Sequence, residues 1–270
     1  MITAAALLVD TTRCTGCEAC VLACKEENEL GPDRPRHGQQ AVDGLSSTRF
    51  TTVLRRPGGV FVKQQCRHCL EPACASVCLV GAMHKTPEGP VVYDSELCIG
   101  CRYCLVACPY GIPRYEWEEA VPYVRKCTLC HPRVAEGKEP ACVEACPEQA
   151  LLFGPRDELL AEAHQRIAVA PDRYLPHVWG EREVGGTSVL YLSSASLGFL
   201  GWSPELGEEP LPHLSWASLQ KVPPVVVGMA TLMGGISWVI QRRMRLAARD
   251  ADGGPVTGAI APDGHDEDGR

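Results

Sequence analysis

The chain has no cationic excess: 26 Lys and Arg against 33 Asp and Glu leave a formal charge of −7 over 270 residues. No block of basic residues offsets that balance, so nucleic acid is not an expected partner. A charged leader is missing too. MITAAALLVDTT has a short apolar run but neither a basic n-region nor a twin arginine, and Cys14 follows at once, so this start reads as a first strand. Long apolar runs are scarce, with a single exception near the carboxy terminus. Hydrophobic content of 45% and charged content of 22% are ordinary for a folded domain. Cysteine alone is abundant, at 16.

Every cysteine falls into a group of four. Cys14, Cys17, Cys20 and Cys24 form the first quartet and Cys98, Cys101, Cys104 and Cys108 the third, both spaced C-x2-C-x2-C-x3-C. The second, Cys66, Cys69, Cys74 and Cys78, has four residues in its middle gap; the fourth, Cys127, Cys130, Cys142 and Cys146, has eleven. Two-residue gaps let a short loop bring three thiolates to three iron corners of one cube, and the fourth cysteine of such a run serves a neighbouring cube. Four quartets therefore imply four [4Fe–4S] clusters working in pairs. Spacing leaves open whether quartet one pairs with two or with four.

Three other chemistries fit less well. Structural zinc uses two separated pairs rather than this run. A disulfide framework belongs to short secreted chains, and cysteines three residues apart would demand many tight loops. Cys127 to His131 spells the C-x-x-C-H haem attachment motif, but that reading would orphan Cys142 and Cys146, so His131 reads as a residue beside the ligands or on the surface.

Short strands are expected before quartets one and two, at Ala5–Val9 and Val60–Val62, and after quartet four at 150–154. A hairpin over 81–94 leads into quartet three, and 28–59 reads as a polar loop insertion. Leu159, Leu160, Ala163 and Ile167 mark one face of a helix, and 186–202 reads as an extended surface segment. The expected fold is α+β, with a four-cluster domain over 1–180, an extended segment and linker over 181–221, a membrane-spanning helix over 222–240 and a charged, disordered tail over 241–270. Val222 to Ile240 is uncharged, close to the ~20 residues that cross a bilayer. It holds no histidine, hence no imidazole for a haem.

KQQCRHCLEPACASVC, CIGCRYCLVACPYGIPRYEW, VRKCTLC, ACVEACPEQALLFGPRDELLAEA and VGGTSVLYL together resemble the four-cluster beta subunits of bacterial membrane-bound redox enzymes. The resemblance is strongest to hydrogenase-2-type iron–sulfur subunits and extends to the formate dehydrogenase-N beta subunit. It implies two ferredoxin-like two-cluster modules with nested pairing. Cys14, Cys17, Cys20 and Cys146 would hold one cluster and Cys24, Cys127, Cys130 and Cys142 its neighbour; Cys66, Cys69, Cys74 and Cys108 the third; Cys78, Cys98, Cys101 and Cys104 the fourth. Leu79 stands where the family has proline, and the family's twin-arginine leader is lacking.

The implied role is a non-catalytic electron relay. Its partners would be a catalytic subunit of nickel hydrogenase or molybdopterin type and an integral-membrane, quinone-reactive subunit, with membrane lipid around the span. A terminal-reductase beta subunit, of polysulfide, dimethyl sulfoxide or nitrite reductase type with reversed flow, is the alternative. Arg13, Lys25, Lys63, Arg67, Arg102 and Lys126 lie beside cysteines, where positive charge would raise cluster potentials or simply be solvated. Only Lys221 precedes the span closely, whereas Arg242, Arg243, Arg245 and Arg249 follow it. The bias predicts an inner-membrane protein with a periplasmic cluster domain, exported with a signal-bearing partner.

Overall fold

A computed structural model describes residues 5–33, 43–202 and 204–251. The chain divides into two compact units, Met1–Ser215 and Trp216–Arg270. The first is built on a three-stranded sheet of order β8-β1-β9: β1 (Ala5–Asp10) runs antiparallel to β8 (Leu151–Pro155) and parallel to β9 (Val189–Leu192). Strand alternation splits the side chains between two cores. Leu7, Val9, Val189 and Tyr191 join the core that holds half of the cysteines, while Ala6, Leu8, Leu190 and Leu192 pack on Leu159 and Ala163 of α6 (Arg156–Val169). That helix carries Asp157 and Glu158 in its first turn, where its dipole favours acid. It is tied back by Arg166, 3.0 Å from buried Asp10.

The cysteine segments hang from this sheet on short elements: α1 (Ala19–Glu27), a hairpin of β2 (Thr52–Arg55) and β3 (Phe61–Gln64), α2 (Ala73–Ser76), a hairpin of β4 (Met83–Lys85) and β5 (Val91–Tyr93), α3 (Tyr103–Ala107), the pair β6 (Arg114–Tyr115) and β7 (Val124–Arg125), α4 (His131–Ala135) and α5 (Ala141–Glu144). Met83, Val91, Tyr115 and Val124 close a small separate core under the second and third quartets.

Three expectations change. The segment read as lying on the surface contains β9, whose four residues are wholly buried, because β1 offers it a free edge between the two cores. The first unit accordingly runs on to Ser215 and does not end at 180. The supposed loop 28–59 contributes β2, and Leu45 and Phe50 enter the core.

The second unit is helical. After α7 (Leu211–Leu219), α8 runs from Val222 to Ala251, past the expected end at Ile240 and through Arg242, Arg243 and Arg245, so the tail expected from 241 begins as helix. Its remainder, 252–270, lies outside the described residues. Pro223 and Pro224 sit in the first turn, where a missing N–H costs nothing. Leu211–Arg249 is one stretch of helix long and apolar enough to cross a membrane, and its apolar window is not buried within the protein.

Candidate metal centres

All four quartets share a backbone device. The residue just before the second cysteine has positive φ in each: Gly16, His68, Gly100 and Leu129. This turn points a backbone N–H at the first sulfur, as Gly100 N–H donates to Cys98 Sγ and Leu129 N–H to Cys127 Sγ, both at 3.4 Å. Gly16 does the same for Cys14. A Cβ at Gly16 would lie 2.4 Å from the Phe61 ring, so only glycine fits there. His68 and Leu129 hold the left-handed turn against their side-chain preference, strain of the kind that collects at functional sites. Glu18 and Arg102 repeat it one residue after the second cysteine and start α1 and α3. Further donors reach Cys78 from Met83 N–H at 3.3 Å and Cys108 from Ile112 N–H at 3.5 Å.

Distant quartets meet. Burial opposes ionisation of Cys24, and then Cys127, Cys142 and Cys130 oppose it further. Cys14 has Cys146 and Cys17 as thiol neighbours, and Cys20 has Cys142, Cys14 and Cys146. Cys69 lies among Cys66, Cys108 and Cys74, and Cys104 among Cys101, Cys78 and Cys98. The groups also adjoin one another, for Cys127 has Cys66 beside it and Cys74 has Cys104. Cys127 and Cys130 thus stand with Cys24 and Cys142, not alone with His131, which is half-buried 3.5 Å from the Glu88 carboxylate.

The environment is dry and cationic at the centre. Burial pushes Cys20 and Cys104 up to about 11 and Cys74 and Cys127 to about 12, so iron has to displace protons from these thiols. Of the six flagged cations, Lys63, Arg67 and Lys126 are buried, Arg13 and Lys25 are half-buried and Arg102 is exposed. Lys126 donates to the carbonyls of Val91 and Cys127. Arg67 donates to Tyr191 Oη, Gln64 Oε1 and two backbone carbonyls, inside a cage of Tyr110, Tyr191 and Trp202 rings. Those aromatics carry no spacing signal in the sequence.

The residues fit iron–sulfur cubes. Gln65 Nε2, Arg67 Nε, His68 Nε2 and Tyr110 Oη are buried without a partner, all within two residues of Cys66, Cys69 or Cys108. His68 Nδ1 accepts from Val91 N–H at 2.9 Å, leaving its proton on Nε2. Cluster sulfurs are the acceptors such donors call for. A small cavity lies among Cys14, Cys17, Cys20, Cys146 and Lys63. Among the described residues no three His, Cys, Asp or Glu side chains close on a single ion. A cube asks for wider spacing, since each thiolate binds a different iron.

Comparison with known proteins agrees with this chemistry. A family described as the 4Fe-4S dicluster domain matches residues 58–156. A protein of Nitratidesulfovibrio vulgaris is 46% identical over 256 residues, covering 90% of this chain and 69% of that protein. The hydrogenase-2 operon protein HybA of Escherichia coli O157:H7 is 37% identical over 228 residues, 69% of each protein. The probable anaerobic dimethyl sulfoxide reductase subunit YnfG of Escherichia coli K12 is 44% identical over 172 residues, covering 63% of this chain and 83% of its own length.

Proposed function

Since the protein belongs to the family of iron–sulfur electron-transfer subunits that includes HybA and the dimethyl sulfoxide reductase subunit YnfG, we propose that it holds four [4Fe–4S] clusters in single file. The file would be Cys14, Cys17, Cys20 and Cys146; then Cys24, Cys127, Cys130 and Cys142; then Cys66, Cys69, Cys74 and Cys108; then Cys78, Cys98, Cys101 and Cys104. The meeting of Cys24 with Cys127, Cys130 and Cys142 carries this reading, because a sequential pairing of quartets one and two has no use for it. Each cluster, when bound, supplies a one-electron carrier. The protein's own part is to bury the inner thiolates, aim N–H donors at sulfur and leave each end near the surface.

The ends are exposed at Cys17 and Cys101. Around Cys101 the side chains of Leu79, Ile99, Tyr103, Val106 and Trp117 are exposed, an apolar surface suited to a partner subunit. We assign the partners as a hydrogenase or formate dehydrogenase catalytic subunit and a quinone-linked membrane subunit. The long α8 favours this over a reductase beta subunit, a type that usually lacks the anchor. The 44% identity to dimethyl sulfoxide reductase subunits keeps the reductase type as the second reading. A gene beside this one for a nickel hydrogenase large subunit or for a molybdopterin subunit decides between them.

The arginines after the span support a periplasmic cluster domain. Protease added to spheroplasts should then cleave it, and protection until the membrane is lysed would reverse the orientation. The test of the cofactor reading is about 16 irons and as many acid-labile sulfides per chain after anaerobic preparation. Near-stoichiometric zinc or covalent haem would sink it.

A further inference from the structure

Lys63 is 1% exposed, yet among the described residues its ammonium has a single hydrogen-bond partner, the neutral Gln65 Oε1. Buried Arg114 pairs with Asp43 and half-buried Arg166 with Asp10, whereas buried Arg67 and Lys126 share their charge among several neutral oxygens. Among the described residues Lys63 makes no salt bridge, although Glu18 and Glu148 line the same cavity as it does. Burying an uncompensated ammonium costs far more than one bond to an amide returns. The charged groups nearest it are thiols from two centres, Cys142, Cys127 and Cys24 of one and Cys20 of the other, and it lines the space among Cys14, Cys17, Cys20 and Cys146. Its backbone is pinned as well, since Lys63 lies in β3 and its carbonyl accepts from Tyr191 Oη at 2.9 Å.

We propose that Lys63 is the shared counter-charge of the first two centres, one fixed cation that raises both their reduction potentials. The inference rests on the ligand sets given above. Reduction adds one electron to a cluster already anionic, supplied by the catalytic subunit in the cell; no bond forms or breaks. A nearby fixed charge in a dry site stabilises the added electron. The thiols that bear on Cys104 in the last centre are Cys101, Cys78 and Cys98.

The test is an EPR-monitored redox titration, with mediators and dithionite, of the purified complex bearing Lys63→Met, Lys63→Gln or Lys63→Arg. Lys138→Ala, an exposed charge, serves as control. The signals of the first two centres are identified by their loss in Cys146→Ala and Cys24→Ala. In Lys63→Met both should become at least tenfold harder to reduce, about 59 mV each for a one-electron couple. Lys63→Arg and Lys138→Ala should stay at wild-type potentials. If Lys63→Met does not assemble, Lys63→Gln is read in its place. All signals present with unmoved potentials, a shift in the Cys101 centre alone, or an equal shift in Lys63→Arg would overturn the proposal. Iron far below about 16 per wild-type chain would instead overturn the cluster reading itself.

Discussion

In the proposed assignment the two inner centres and the two outer ones share the C-x2-C turn but differ in the next gap, four and eleven residues inside against two outside, and in their surroundings. Cys24, Cys127, Cys130 and Cys142 of the second set and Cys66 of the third are buried, whereas Cys17 and Cys101 of the outer sets are exposed. Lys126, Arg67 and the unpartnered donors of His68 and Tyr110 crowd the inner region; the outer end at Cys101 has apolar side chains and exposed Arg102. On this assignment the shared C-x2-C turn would serve two purposes: inside, to hold buried carriers, and outside, to present a carrier near the surface.

The sharpest break of this comparison is cysteine removal. Cys24→Ala and Cys142→Ala should each abolish or convert the same EPR signal, with a loss of up to about 4 of about 16 irons. Loss of different signals would refute the nested assignment. Cys101→Ala should remove a signal distinct from both and leave the inner signals intact, because its neighbours are Cys78, Cys98 and Cys104.

Alkylation during chelator-driven cluster loss should divide the sixteen thiols by position. Cys17 and Cys101 should react first, and Cys24 and Cys127 last, since burial pushes the latter two thiols up and shields them. Mass spectrometry of quenched time points reads the order. Equal rates would mean that the inner centres are no drier than the outer ones.

A smaller effect separates the loops by backbone. Gly16→Ala puts a Cβ into Phe61 at φ +77° and should cost about 2 kcal/mol, while Gly111→Ala, strained but unobstructed, should cost about 1 kcal/mol. Thermal melts of the holoprotein compare them. The smallest effect lies at the surface. A hydrogen bond from Arg49, with Lys25 assisting, holds the Asp33 carboxyl at about 2, below its ordinary 3.8. A depressed folded-state pKa gives stability that is present above about pH 4 and lost as pH falls towards 2. Asp33→Asn should therefore cost less than about 1 kcal/mol above pH 4, and the cost should fade as pH falls towards 2.

Much of this was legible before any coordinates. The strand before quartet one and the 81–94 hairpin follow from short apolar runs and a turn, the helix over Leu159 to Ile167 from its period, and all three are present. The segment 186–202 misled because apolar residues broken by serines look like a surface. Ser188 and Ser193 are instead buried with β9. The flagged cations could not be sorted either: Lys63 and Lys25 look alike in sequence, yet one is buried among thiols and the other pairs with Asp33 at 3.0 Å.

By itself the sequence determined the chemistry, because iron–sulfur ligation depends on residue type and short spacing, and a C-x2-C loop is a local object. It also determined a span long enough for a bilayer, since length and hydropathy are additive along the chain. Which quartet meets which was decided by tertiary structure. Cys24 and Cys142 are brought together only because β1 pairs with β8, setting the segments after and before those strands side by side. Which cations act as counter-charges was decided there as well, because burial and salt-bridge pairing are properties of packing in three dimensions.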